Sequence, residues 1–248
     1  ERSTVPSETE YEIIKKLELK AEHFKKMFAY SLKKNILLFS TPDEIDSANF
    51  LVETGVKLLK IASQDVTNIP FLKDMAQIKL PLILSSGAST LPELTSAIDT
   101  VYQYNKELIL FHCVSSYPTP IEQANIRILP LLKDMYRLPV GYSDHTLGVA
   151  SATAAVALGS TFFEKHFTLD TKMLGPDHQA SADVKGLKNY VETLRNAKLA
   201  LGDGIKRIMP CEVENKKAFS RFIVAAEHLK AGDTLTKDKV KKKKSQTP

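Results

Sequence analysis

The sequence has few cysteines and no long apolar run, and both absences narrow the class of protein. The cysteines, Cys113 and Cys211, number two in 248 residues, too few for the disulfide framework of a small secreted domain. No apolar run approaches the roughly 20 residues that a membrane helix needs. The start of the chain, Glu1 to Glu10, is polar and charged, unlike a signal peptide. We therefore expect a cytoplasmic protein without a membrane partner.

The positive charge of the chain is concentrated near its C-terminus. The formal net charge is +5 at pH 7. Six lysines, at positions 237, 239 and 241–244, account for the excess, and the rest of the chain is close to neutral. A terminal run of lysines is typical of a solvated tail or an edge strand. We expect no nucleic-acid partner.

Short apolar, β-branched runs recur along the chain, and an amphipathic stretch follows each of them. The runs cover residues 36–40, 58–62, 82–85, 108–113, 140–143 and 161–166. Their starts lie roughly 20 to 30 residues apart, the length of a strand, a helix and two loops. Because the runs are apolar throughout, they predict strands buried on both faces, as in a parallel sheet. The stretches between them, such as 91–104 and 148–158, have helical periodicity.

Polar or ionisable residues stand at the end of every predicted strand, from Ser40–Pro42 to Glu164–His166. Chemistry at the carboxyl end of every strand is typical of the (β/α)8, or TIM, barrel. A doubly wound sheet would concentrate these groups at one crevice and usually has a glycine-rich first turn, but no G-x-G-x-x-G is present. We find six strand–helix units, so we predict an α/β TIM barrel that lacks about two N-terminal βα units. An open six-stranded sheet is the alternative.

The sequence changes character after the predicted helix at 184–201. Short strand-like pieces at 222–226 and 231–236 alternate with turn residues. The sequence therefore predicts two domains, a barrel over residues 1–208 and the start of a small β-rich domain over residues 209–248.

Two histidines stand at the ends of successive predicted strands. Because side chains alternate along a strand, Ser143 and His145 share one face, as do Glu164 and His166. Neighbouring strands lie about 4.8 Å apart, so the two imidazoles can converge on one divalent ion. Two protein ligands would leave positions for water and a substrate oxygen. The alternative is that a histidine only packs in the barrel wall.

Lys60 stands inside an apolar run, where a buried ammonium is costly unless an anion neutralises it. The sequence leaves two candidates for this anion: a carboxylate of the protein in a structural ion pair, or a phosphate or carboxylate group of a substrate. Formation of a Schiff base by Lys60 is a further alternative. Four hydroxyls around the same rim supply donors for an anion: Thr41, Ser63, Ser85 and Ser143.

Two carboxylates are expected at this rim. Asp177 follows a Gly-Pro turn, and Asp65 lies just beyond the Lys60 strand. Each can contact sugar hydroxyls or transfer a proton, and each can equally be a turn or cap residue. His112 and Cys113 are better explained by packing, and we do not assign Cys113 as a nucleophile.

Seven segments then stand in a recognisable order. They are FSTP at 39–42, LKIAS at 59–63, HC at 112–113 with YP at 117–118, GYSDHTLG at 141–148, AVALG at 155–159, EKHFTLD at 164–170 and GPDH at 175–178. Together they resemble the N-acetylneuraminate (sialic acid) synthase family, which includes legionaminic and pseudaminic acid synthases. The resemblance extends from about Glu10 to Thr236.

The resemblance implies a TIM barrel followed by an antifreeze-like (SAF) domain, in a homodimer whose SAF domains each cover the partner's site. It implies condensation of phosphoenolpyruvate with N-acetylmannosamine, or a related N-acetylated amino sugar, and water. The products would be N-acetylneuraminate, or a related nonulosonic acid, and phosphate. Legionaminic or pseudaminic acid synthesis is the closest alternative. A metal-dependent barrel hydrolase using His145, His166 and Asp177, or a non-catalytic sugar-binding barrel, is more distant.

The resemblance also assigns residues. His145 and His166 would bind Mn2+, with Mg2+ or Co2+ as alternatives. Asp65 and Asp177 would face the amino sugar. These two carboxylates and Lys60 would be the catalytic residues. The phosphoenolpyruvate shell would consist of Thr41, Lys60, Ser63, Ser85, Ser115, Tyr117 and Ser143.

Three departures from the family pattern bear on these expectations. Gln64-Asp65 stands where many members have Gly-Glu, which leaves the acceptor sugar open. The N-terminal Ala-Glu-Ile-Gly and Lys-Phe-Gln motifs are absent, and Lys243-Lys244-Ser245-Gln246 replaces a Lys-Arg-Pro-Gly segment. We therefore expect this chain to be inactive by itself.

Overall fold

The computed structural model describes residues 9–175 and 177–244. Pro176 of the expected Gly-Pro turn, Ser245 and Gln246 of the altered segment, and residues 1–8 lie outside them. Within these two ranges, no helix is both long enough and apolar enough to cross a membrane. The chain divides into two compact units, Glu1–Leu201 and Gly202–Pro248.

The first unit is built on a five-stranded parallel sheet with the strand order β1-β2-β3-β4-β5. Its strands are β1 (Leu59–Ile61), β2 (Leu82–Ser85), β3 (Leu108–His112), β4 (Val140–Asp144) and β5 (Phe162–Lys165). Its helices are α1 (Glu10–Leu17), α2 (Ala21–Lys34), α3 (Ile45–Thr54), α4 (Ile69–Gln77), α5 (Leu91–Tyr104), α6 (Ile128–Tyr136), α7 (Ala150–Ala157) and α8 (Val184–Ala200). Helices alternate with the strands of the sheet, which confirms the predicted α/β class.

Local sequence explains where two of these helices begin. The Thr90 side chain caps the first turn of α5 while Glu93 bonds back to the Thr90 backbone, which is a capping box. Asp183 caps α8 by accepting a hydrogen bond from Gly186 N at 2.6 Å. Both caps follow loops at the carboxyl end of the sheet, so they help to hold that end in place.

The strand predicted over Ile36–Ser40 is wrong. The structure assigns no strand there, and Ile36 and Leu37 are 64% and 60% exposed. The segment touches the sheet ladder through one backbone hydrogen bond, from Lys60 N to Ser40 O at 3.2 Å. Apolar content predicted a buried strand, but a strand also needs a series of backbone partners. Five of the six predicted runs are therefore strands of the sheet.

The sheet is curled into the shape of half a barrel. Its two ends, β1 and β5, would be about 19 Å apart in a flat sheet, because adjacent strands are about 4.8 Å apart. Extended lysine and glutamate side chains together span roughly 11 Å. Yet Lys60 Nζ lies 2.8 Å from Glu164 Oε1. Only a curled sheet brings these atoms together, while a complete eight-stranded barrel remains a prediction.

The two faces of β1 show which side of the sheet holds the chemistry. Leu59 and Ile61 are fully buried in the hydrophobic core that the helices share with the sheet. Lys60, between them, points to the opposite face because strand side chains alternate. The apolar core therefore lies between the sheet and the helices, and polar groups collect inside the curl.

The second unit holds an antiparallel pair of strands, β6 (Arg221–Ala225) and β7 (Val240–Lys244). A short helix, α9 (Val213–Phe219), precedes them. Lysines 241–244 lie on β7 and are exposed, so this charge lies on a solvated strand, as the sequence suggested. Assignment of this unit to a SAF domain remains a prediction.

Candidate functional site

Two imidazoles meet at the carboxyl ends of neighbouring strands. His145 directly follows β4, and His166 directly follows β5. Their ring centroids are 5.3 Å apart with an interplanar angle of 81°. The Tyr117 ring lies 4.3 Å from the His145 ring and 5.1 Å from the His166 ring. The structure thus brings together the two histidines and the tyrosine that the sequence proposed for one site.

The protonation form of His145 follows from its surroundings. Its Nδ1 lies 2.7 Å from the carbonyl oxygen of Val114; because a carbonyl only accepts, Nδ1 carries the proton. In the neutral ring Nε2 therefore carries the lone pair; Ser143 Oγ lies 3.1 Å from it but donates its one proton to Glu164 Oε1. Burial lowers the pKa of His145, partly offset by the bond to Val114. A neutral imidazole, held at one nitrogen and free at the other, is the form that binds metal ions.

His166 lies beside a carboxylate. Its Nδ1 is 3.9 Å from Asp177 Oδ2. Burial lowers the pKa of His166, and the negative charge of Asp177 opposes this change. In the described ranges, no three His, Cys, Asp or Glu side chains are arranged to hold a metal ion. The arrangement therefore consists of two imidazoles with one carboxylate near the second of them.

Lys60 forms an ion pair with Glu164, and this pair extends to the histidines. Glu164 Oε1 accepts hydrogen bonds from Lys60 Nζ at 2.8 Å and from Ser143 Oγ at 2.7 Å. Burial alone would raise the pKa of Glu164, but the charge and hydrogen bond of Lys60 hold it below its usual value. Ser143 in turn contacts His145. A series of side-chain contacts involving β1, β5 and β4 therefore connects the Lys60 ammonium to the His145 imidazole.

Glu164 is a site residue that the sequence argument did not assign. It shares a face with His166, and a lysine in a buried strand needs an anion. Those two facts together point to Glu164, but only the curl of the sheet shows that it reaches Lys60. Of the interpretations left open for Lys60, the ion pair is the one found in the structure.

A second group of hydroxyls surrounds Gly87. Ser63 Oγ and Ser115 Oγ are 3.3 Å apart. A Cβ built on Gly87 would lie 2.3 Å from Ser115 Oγ, 2.9 Å from Cys113 Sγ and 3.1 Å from Ser63 Oγ. Burial raises the pKa of the Cys113 thiol, which keeps it protonated and makes it a poor nucleophile. The absence of a side chain at Gly87 leaves room for the two serine hydroxyls.

Gly87→Ala is expected to destabilise the protein by about 1 kcal/mol, the low end of the usual cost of overpacking, because the exposed Ser115 side chain can rotate away. The new methyl group would collide with Ser115 Oγ. The double variant Gly87→Ala/Ser115→Ala removes that oxygen and should recover part of the loss. Urea unfolding of both variants measures this, and an unchanged midpoint for Gly87→Ala would contradict the tight packing.

Three proposed site residues do not join these contacts. Asp65 Oδ1 accepts a hydrogen bond from Asn68 Nδ2 at 3.1 Å, and within the described ranges its buried Oδ2 has no hydrogen-bond partner. Ser85 Oγ is likewise buried and unpaired among the described residues. Thr41, the residue directly after the segment wrongly predicted to be a strand, is partly buried. Buried polar atoms without partners usually indicate a bound molecule or water.

His112 is a packed histidine outside this site. It is buried, its Nε2 lies 2.9 Å from the Ala124 carbonyl oxygen, and its ring stacks on Tyr142 with centroids 6.0 Å apart. Burial lowers the pKa of His112 from the usual 6.5, and the bond to Ala124 offsets this only in part. The ring therefore stays neutral in the folded state at a pH where the unfolded chain is already protonated.

Acid should destabilise the protein through His112. With a folded-state pKa below 6.5, the unfolded state binds the proton first. Neutral His112 therefore makes its full contribution to the free energy of unfolding above pH 6.5. This contribution declines as the pH falls from 6.5 through the folded-state pKa. His112→Gln should show a smaller decline in this range. Urea unfolding from pH 7.5 to 5 tests this, and equal declines in both proteins would contradict it.

A curled parallel α/β sheet with ionisable groups at the carboxyl ends of its strands is typical of enzymes of the TIM-barrel class. The family model described as the NeuB family matches residues 1–206. The chain therefore belongs to the NeuB family.

Relatives of this chain include named nonulosonic acid synthases. An N,N'-diacetyllegionaminic acid synthase of Campylobacter jejuni is 37% identical over 238 residues, 95% of this chain and 71% of that protein. One of Legionella pneumophila is 40% identical over 237 residues, 94% of this chain and 67% of that protein. The crystal structure of an N-acetylneuraminic acid synthetase of Leptospira borgpetersenii in complex with citrate has 37% identity and a TM-score of 0.77, covering 82% of this chain and 72% of that one. Membership of a family of nonulosonic acid synthases is thus supported by sequence and by fold.

Proposed function

We propose that this protein condenses phosphoenolpyruvate with an open-chain N-acetylated amino sugar and water, giving a nonulosonic acid and phosphate. The observation that carries the proposal is the convergence of His145 and His166, 5.3 Å apart, beside the Lys60–Glu164–Ser143 contacts. Imidazoles that would hold an ion are thus connected by contacts to an ammonium that would hold an anion. Family membership supplies the reaction class.

The donor set fits a divalent metal ion. His145 offers a free Nε2 lone pair because Val114 holds its other nitrogen, and burial favours the neutral form of both rings. His145 and His166 would hold the ion, with Mn2+ preferred and Mg2+ or Co2+ as alternatives. A bound ion would supply polarisation of the sugar carbonyl.

Phosphoenolpyruvate is a small polyanion, and the site offers it hydroxyl groups and the Lys60 ammonium, which is already paired with Glu164. Lys60 would hold a phosphate or carboxylate oxygen of phosphoenolpyruvate. Its ammonium would then contact both Glu164 and phosphoenolpyruvate. Six hydroxyl groups would complete the phosphoenolpyruvate shell, those of Ser63, Ser115, Ser143, Tyr117, Thr41 and Ser85. Fixed donors of this kind act by positioning and by stabilising developing charge.

Two carboxylates would contact the sugar. Asp177, 3.9 Å from His166 Nδ1, is placed to accept a hydrogen bond or proton from a sugar hydroxyl near the imidazoles. Asp65 has a buried Oδ2 without a hydrogen-bond partner in the described ranges, which is available to a ligand.

The bond changes balance with these groups alone. C3 of phosphoenolpyruvate attacks the sugar aldehyde, whose oxygen takes up a proton to become a hydroxyl group, while water adds to the cation that develops at C2 and releases a proton. The tetrahedral intermediate then loses phosphate by C–O cleavage, so no oxidant or further co-substrate is needed.

The test is phosphate release by the full-length protein with Mn2+ and phosphoenolpyruvate. One arm adds N-acetylmannosamine, and a second adds its deoxy-diacetamido analogue. Release that requires a sugar supports the proposal, and the faster arm identifies the acceptor. The names of the relatives at 37% and 40% identity favour the diacetamido sugar. Release without any sugar would indicate a hydrolase, and release in no arm would contradict the synthase.

A further inference from the structure

A buried ion pair lies directly behind the two imidazoles. Asp144 and Lys165 are partners in the β4–β5 ladder, and each is the last residue of its strand. Their side chains are 0% and 6% exposed, and Lys165 Nζ lies 3.3 Å from Asp144 Oδ2. The next residue along each strand is an imidazole, His145 or His166. Because strand side chains alternate, the ion pair faces the helices while the imidazoles face the inside of the curl.

The ion pair also fixes the turn that carries His145. Asp144 Oδ1 accepts hydrogen bonds from Thr146 N at 2.9 Å, from Thr146 Oγ1 at 2.7 Å and from Ser151 Oγ at 3.2 Å. Lys165 Nζ donates to the carbonyl oxygen of Thr146. Residues 144 and 146 are therefore both held, and His145 is the residue between them.

The same lysine is fixed from a third side. Lys165 Nζ lies 5.6 Å from the centre of the Tyr190 ring of α8, which is consistent with a cation–π contact. On the strand side, the residue after Lys165 is held by the backbone hydrogen bond from Ala182 N to His166 O at 2.8 Å. The backbones that carry both imidazoles are thus joined through one ammonium and one carboxylate.

Stability alone does not explain such a pair. Taking two charges out of water costs several kcal/mol per ion, and apolar side chains of similar volume often do as well or better. The position of the pair, one residue before each imidazole, gives it a different role.

We propose that Asp144 and Lys165 are positioning residues that set the separation and orientation of His145 and His166. The proposal rests on the proposed function, in which these imidazoles bind a divalent ion. Neither Asp144 nor Lys165 would touch the ion or the substrate, because both side chains face the helices. Their effect is transmitted through the backbone of the β4 turn and the end of β5.

The test is a Mn2+ titration of the folded full-length protein, which needs no turnover. The double variant Asp144→Asn/Lys165→Met removes both charges together, so neither is left buried and unpaired. We expect it to retain a thermal midpoint close to that of the wild type and to bind Mn2+ about 10–100-fold more weakly, the usual effect of losing groups that orient metal ligands. The matched control is Lys188→Met/Glu192→Gln, an exposed pair on α8 at 3.9 Å, which should leave Mn2+ affinity unchanged.

A folded double variant that binds Mn2+ as tightly as the wild type overturns the proposal. If the double variant does not fold, Thr146→Val carries the test, because it removes at nearly constant volume the hydroxyl that bonds to Asp144 Oδ1 and to Ser151 Oγ. A loss of about fivefold in Mn2+ affinity, equivalent to one hydrogen bond of about 1 kcal/mol, supports the proposal, and an unchanged affinity overturns it. Failure of the wild type itself to bind Mn2+, Mg2+ or Co2+ would instead contradict the metal site of the proposed function.

Discussion

Replacing either His145 or His166 by alanine is expected to abolish sugar-dependent phosphate release by the full-length protein. The two rings lie 5.3 Å apart, so both are proposed to bind the same ion. Each variant would leave only one of these two imidazoles. Groups that merely orient a metal ligand are worth about 10–100-fold in affinity. Loss of a ligand itself should therefore weaken Mn2+ binding by more than about 100-fold. Mn2+ titration and a phosphate assay measure the two effects separately.

His112→Gln is the matched control for these variants. His112 is a buried histidine at the end of β3, but its ring bonds to Ala124 and stacks on Tyr142. It should retain Mn2+ binding and turnover. Full activity of His145→Ala or His166→Ala without added metal would exclude the metal role of that residue.

Lys60→Ala is expected to raise KM for phosphoenolpyruvate strongly and to destabilise the fold. The variant removes the ammonium proposed for the donor and leaves Glu164 partly buried without its counter-charge. Breaking a buried pair from one side costs about 3–5 kcal/mol. The Lys60 and Glu164 side chains are 18% and 30% exposed, so a loss near the lower end, about 3 kcal/mol, is expected. Phosphate release over a range of phosphoenolpyruvate concentrations and urea unfolding measure the two effects.

A double variant separates the two roles of Lys60. Lys60→Ala/Glu164→Gln removes the stranded charge, so it should recover stability while its KM for phosphoenolpyruvate stays high. Recovery of both properties would mean that the KM of the single variant reflects misfolding. An unchanged KM and rate in Lys60→Ala itself would show that this lysine is only structural.

Much of the sheet could be predicted because buried parallel strands have a simple pattern. The runs at 82–85 and 108–113 are continuous and apolar, and they are strands in the structure with bounds Leu82–Ser85 and Leu108–His112. The run at 36–40 has the same composition but is not a strand. Its apolar character predicted burial, but Ile36 and Leu37 are mostly exposed; a strand also requires a partner along its backbone, and a single run contains no information on that partner.

Within the site, the local relations were predictable and the long-range ones were not. Alternation along a strand places Ser143 and His145 on one face, and their side chains are in contact at 3.1 Å. Glu164 reaches Lys60 only because the sheet curls, and Asp144 meets Lys165 only because of the register of β4 and β5. Curl and register depend on the packing of the whole unit, so no short window of sequence could reveal these two pairs.

The contact between Lys60 and Glu164 joins residues 104 positions apart, and this has a consequence for how the protein is made. Closing a longer loop costs more chain entropy, and contacts between distant positions slow folding. As a chain leaves the ribosome, Lys60 emerges well before its carboxylate partner has been synthesised. The ion pair can therefore form only after translation has passed β5, and a product terminated earlier would contain an ammonium without its counter-charge.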